Sequence, residues 1–256
     1  MTWPITAELR KTLRELFPVR RDRRVVWGLV ALAAVVSITE LAAVQLFSLL
    51  ILPQSDRSQS STVLLVLLFF GVFGGLRLVN YAREMYKLNV FERALTESVG
   101  GAQAQDSWRW AMAMEVTNIL SAVCRAIVVV VACLVLAPWF GLGVLIVVAL
   151  FGAMLSSMFT RQLVTQRDFR AAQLARSPVS NATKLRTRVK AGELGSLVGH
   201  LGIVLLVGLL VALTLNEQVP PGTAFVIFVA LRMLGQIMSE ITKMLLRYVR
   251  ARAFSE

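Results

Sequence analysis

Arg232, Gln236, Ser239, Lys243, Arg247 and Arg250 recur at steps of three or four residues, with Glu240 beside them, inside a stretch (residues 221–254) otherwise long and apolar enough to cross a bilayer. On a helix they form one polar stripe, while Phe225, Ile227, Phe228, Val229, Leu231, Leu234, Ile237, Ile241 and Leu245 cover the other faces. A charge near the bilayer centre costs about 2.5–3.5 kcal/mol on insertion scales, so such a stripe must face other helices or a watery cavity rather than lipid. The chemistry it offers is anion binding. Arginine is always charged and grips a phosphate or carboxylate through two parallel N–H donors.

Two more charges fall within apolar runs: Glu40 and Arg125, the latter sharing a helical face with Glu115, Asn118 and Ala122. Glu40, Arg125, Arg232, Gln236, Ser239, Glu240 and Lys243 are therefore candidates for lining a substrate cavity. The competing reading is a structural ion pair, Glu40 with Arg125 or with Arg232, that neutralises both and pins helices together. His200, the single histidine, has no titrating partners at relay spacing, and a packed or hydrogen-bonded ring is favoured over a proton relay. Cys124 and Cys133 fall on opposite faces of one helix, which suits packing and not a disulfide or a metal. Gly195, Gly199 and Gly202, and Gly71, Gly74 and Gly75, form small faces suited to close helix contact. No nucleophile–base grouping or metal-spaced cluster is present, so the chain on its own reads as no enzyme, with no catalytic residue and no metal site.

The elements that must position these residues are membrane helices. The 256 residues are 57% hydrophobic yet carry a formal net charge of +12, with a mean hydropathy of +0.69, a combination foreign to soluble domains. The basic residues sit in blocks between apolar runs, so the charge points to loops beside a membrane and not to nucleic acid. Windows of about 20 apolar residues give six spans, about 25–52, 62–82, 112–137, 139–160, 194–215 and 222–246. Residues 6–17 read as a short amphipathic helix with Leu9, Leu13, Leu16 and Phe17 on one face, lying in the interface; with the basic linker after it, this makes a first unit of residues 1–24, and residues 25–256 make the spanning domain. No cleavable signal is expected at the N-terminus.

Residues 1–24 hold seven Lys or Arg, 77–109 five, 160–193 eight and 232–256 five, whereas the opposite side has only Arg57. Both termini are therefore expected in the cytoplasm, in a plasma (inner) membrane. Residues 83–109 and 160–193 look helical, turning at Gly100–Gly101 and at Pro178, and their tips offer docking surfaces for a cytoplasmic partner. Trp27, Trp108, Trp110 and Trp139 suit an interfacial belt, with Trp108 a further docking candidate.

This order of elements resembles the membrane domain of ATP-binding-cassette exporters. Ile38-Thr39-Glu40-Leu41, a long apolar run and Pro53 are similar to the first span of the branch containing the lipid-linked oligosaccharide flippases. Pro221-Gly222-Thr223-Ala224-Phe225, Leu231-Arg232-Met233-Leu234 and Arg250-Ala251-Arg252-Ala253-Phe254-Ser255 are similar to the family's sixth span and its run-in to the nucleotide-binding domain. The resemblance implies an all-α domain of six spans behind an elbow helix, pairing as a homo- or heterodimer, that moves an amphipathic or lipid-linked substrate by alternating access. No G-x-x-x-x-G-K-[ST] phosphate loop is present. ATP and Mg would therefore enter only through a separate nucleotide-binding ATPase subunit, the chain itself having no cofactor. The short inner loops favour a rival expectation: a non-transporting scaffold or regulatory subunit, or a shortened, engineered exporter domain uncoupled from ATP.

Overall fold

The computed structural model describes residues 4–51, 59–96, 103–175, 177 and 179–255. Among them it is all helical: α1 (Pro4–Leu16), α2 (Arg20–Ile51), α3 (Gln59–Thr96), α4 (Gln103–Leu136), α5 (Pro138–Leu174), α6 (Asn181–Leu215) and α7 (Pro221–Ser255). Six of these, α2 to α7, are long and apolar enough to cross a membrane. The protein is a multi-pass membrane protein.

Local sequence sets the boundaries. Pro138 opens α5 and Pro221 opens α7, because a proline at the first helical position gives up only an N–H that would be unpaired there anyway. Ser180 caps α6 by accepting the Thr183 N–H. At the other end of α6, the Gln218 N–H bonds the Leu213 carbonyl and the Glu217 N–H that of Thr214, with Glu217 at φ 58°. This is the paired closure of a helix by a left-handed residue. The basic run 20–24, expected as a linker, forms the first turn of α2 instead. Only Pro18 interrupts the chain there, and arginine is a good helix former.

The α4–α5 turn is the tightest. A Cβ on Gly141 would lie 2.5 Å from Leu134 Cα and 2.6 Å from Leu134 N. Those are backbone atoms and cannot step aside, so the reversal across Ala137 requires glycine. Gly141→Ala is expected to destabilise the protein by about 1–3 kcal/mol through overpacking, read as a lower unfolding midpoint in detergent. An unchanged midpoint would show that the turn relaxes freely.

α7 is the centre of the bundle, packed chiefly on α4 and α6 and also on α5 and α2. Ile227, Leu231, Leu234, Leu245 and Tyr248 are fully buried on its inner side, facing a core with Val116, Val129 and Phe140. α3 lies outermost. Only 6% of its apolar window is buried, and Leu64, Leu67, Phe70 and Leu78 face outward where lipid would cover them. Gly195, Gly199 and Gly202 meet Thr242, Phe151 and Val147, so their small face is a packing face. Around Gly71, Gly74 and Gly75 a Cβ would meet nothing within 4 Å, and the packing expected there is not made by this chain.

α1 spends its apolar stripe on protein. Leu9, Leu13, Leu16 and Phe17 are buried, with Phe17 against Phe91. Thr12 Oγ1 lies 2.7 Å from the Tyr248 hydroxyl, and Arg252 donates to Glu8 at 3.1 Å and Glu15 at 2.9 Å. The first and last helices are thereby tied together at one end of the bundle.

Candidate functional site

The alternation of bulky apolar and polar residues along α7 sorts its two sides. While Ile227, Leu231, Leu234, Leu245 and Tyr248 are buried in the core, Arg232, Gln236, Glu240, Lys243, Arg247 and Arg250 are exposed and Ser239 is half-buried. Glycines on both helices, Gly195 and Gly199 on α6 against Thr242 and Met238, and Gly235 on α7 against Ile203, let the neighbours approach closely below this stripe. Between α6 and α7 runs a groove of about 610 Å³ lined by Arg232, Gln236, Ser239, Glu240, Lys243 and His200, with Ile203, Val207 and Phe228 as its apolar wall.

Arg232 and Lys243 make no ion pair among the described residues, so this groove carries two uncompensated cations. One carboxylate faces it, and that carboxylate is engaged: Arg125 Nη2 donates to Glu240 Oε2 at 2.8 Å, joining α4 to α7. Two turns further along, Arg247 lies 3.6 Å from the largely buried carboxylate of Glu115. Arg125, placed by sequence on a face with Glu115 and Asn118, therefore keeps α7 in register with α4.

Glu40 makes neither of the ion pairs weighed for it. Neither Arg125 nor Arg232 pairs with it: Arg125 is held by Glu240, and Glu40 opens onto a second groove of about 420 Å³ between α2, α3 and α7. Phe47, Phe69, Phe73 and Phe225 form its wall, and Arg77, which stacks over Phe73, is the cation that shares it. Gln236 lines both grooves. Arg77 and His200 are thus site residues that sequence reasoning missed. Arg77 counts among the charges of 77–109 in the sequence, and His200 reads there as a packed or hydrogen-bonded ring and not as a groove residue. His200 is hydrogen-bonded as expected, donating Nδ1–H to the Ser196 carbonyl at 2.7 Å, yet it is exposed at the groove.

Among the docking candidates, Gly100, Gly101 and Pro178 lie outside the described residues. Trp108 is half-buried and already occupied: Phe254 stacks on it at 5.4 Å and the Arg250 guanidinium sits 5.6 Å above its ring. It anchors the end of α7 to the start of α4. Arg170 adds a second anchor, donating to the Ala253 carbonyl at 2.7 Å. Comparison with known protein families and with curated proteins finds no match for this chain.

Proposed function

We propose that the chain is the membrane-spanning subunit of an ATP-binding-cassette-type exporter or flippase, residing in the plasma (inner) membrane with both termini in the cytoplasm. In this reading α1 is the interfacial elbow helix, and two copies, or this chain and a related one, enclose a path along the exposed side of α7. An amphipathic or lipid-linked substrate with an anionic group moves along it by alternating access. ATP and Mg are handled by a separate nucleotide-binding ATPase subunit at the cytoplasmic ends of the helices. The observation that carries this reading is the polarity of α7, which buries Ile227, Leu231, Leu234, Leu245 and Tyr248 in the core and turns a cationic stripe into an open groove.

The interhelical pairs Arg125–Glu240 and Arg247–Glu115 favour a second reading, a non-transporting scaffold or regulatory subunit in which the stripe serves to hold helices together. Water distinguishes the two. In a Cys124→Ala/Cys133→Ala background, Gln236→Cys in sealed vesicles is expected to react with a membrane-impermeant maleimide, because transport requires a wet path. Complete protection from both sides of the membrane would remove the transport reading. Purification from the native membrane with a stoichiometric ATPase would identify the energy source, and a chain that purifies without one would support the scaffold.

A further inference from the structure

A second cationic site lies away from the α7 stripe. Arg10 and Arg14 on α1 and Arg20, Arg23 and Arg24 on α2 converge on a groove of about 660 Å³ that no carboxylate lines. The sequence places three of them on the first turn and a half of α2, and the bend at Pro18 folds α1 back so that its Arg10–Arg14 edge joins them. The acids of α1 are directed elsewhere, since Glu8 and Glu15 are bound by Arg252 of α7. None of the five arginines makes an ion pair among the described residues.

The floor of the groove is apolar in a way that a soluble anion would not need. Trp27 is 50% exposed and Val123 40% exposed, and together with Leu120 they continue the groove from the arginines onto the flanks of two membrane spans, α2 and α4. Guanidinium groups grip phosphate with paired donors, a basic cluster beside a span attracts anionic headgroups, and tryptophan suits the headgroup level. We infer that this groove binds an anionic phospholipid of the surrounding bilayer. Its headgroup phosphate sits among Arg10, Arg14, Arg20, Arg23 and Arg24, and an acyl chain runs along Trp27, Leu120 and Val123. The bound lipid fastens α1 to α2 at the membrane surface, at the same end of the bundle where α1 is tied to α7.

The test is native mass spectrometry of the full chain in mild detergent, incubated with equal amounts of dioleoylphosphatidylglycerol and dioleoylphosphatidylcholine. The expected result is at least a tenfold preference for phosphatidylglycerol as a discrete adduct. That preference is expected to vanish in Arg14→Gln/Arg20→Gln/Arg24→Gln and to survive in Arg161→Gln/Arg186→Gln, which removes charge from other cytoplasmic segments. Equal retention of the two lipids by the wild-type chain overturns the proposal without recourse to any variant. So does a preference that follows Arg161 and Arg186 instead. Displacement of phosphatidylglycerol by millimolar inorganic phosphate would show that the acyl chain contributes nothing, and would overturn the assignment to lipid.

Discussion

Breaking the Arg125–Glu240 bridge from either side is expected to destabilise the protein far more than removing both partners together. Arg125→Ala leaves Glu240 without its cation, and Glu240→Ala leaves Arg125 stranded within α4, a span whose apolar window has a mean hydropathy of 2.8. An orphaned charge that is fully buried costs about 3–5 kcal/mol. The side chains here are 27% and 47% exposed, so a loss nearer 2 kcal/mol is expected for each single variant, by discounting that figure for partial exposure. Arg125→Ala/Glu240→Ala removes both charges, and the coupling from a double-mutant cycle should be about 1–3 kcal/mol. Unfolding midpoints of the four proteins in detergent give this number directly. Additive single effects would show that the 2.8 Å contact does not hold α4 to α7.

The helices and their order were legible because each rests on a local signal. Long apolar runs, Pro138, Pro221 and the polar segment between α6 and α7 all act within a few residues of themselves. The stripe on α7 was legible for the same reason, since its period is a property of one helix. What periodicity cannot give is the partner. Arg125 and Glu240 are 115 residues apart, and nothing along α4 states that Glu240, and not Glu40, will face it. The glycine faces show the same limit from the other side. Gly195, Gly199 and Gly202 and Gly71, Gly74 and Gly75 look alike in sequence, yet only the first set has a neighbour in this fold. Gly141 carried no pattern at all, because its requirement comes from a carbon that a turn brings up from the preceding helix. Arg77 escaped because it lies inside the expected span 62–82 yet counts with the positive charges of 77–109, and only the packing of α3 on α2 shows that it lines a groove.

Arg232→Gln is expected to abolish transport while leaving the fold intact or slightly more stable. At about 1.5 Å per residue, Arg232 lies about 16 Å along α7 from Pro221, near the middle of a bilayer core about 30 Å thick. Lys243 lies about 33 Å along, at the far edge. A cation at mid-depth is the costliest placement, and Arg232 recovers none of that cost through an ion pair among the described residues. A structural arginine would show the opposite balance, because removing it would strand a carboxylate and lower the unfolding midpoint. Charged hydrogen bonds contribute about 1.5–3 kcal/mol, so losing those from Arg232 to an anionic substrate should weaken its binding at least tenfold. Lys243→Ala, at the membrane edge where water screens charge, should have a smaller effect in the same direction. The checks are initial transport rate in proteoliposomes and unfolding midpoint, measured on the same correctly inserted preparations. Normal transport by both variants would refute a path along α7. Lost transport with a lowered midpoint in Arg232→Gln would move Arg232 from the path to the scaffold. Lost transport at an equal or higher midpoint is the signature of a group kept at a cost in stability because it meets the substrate.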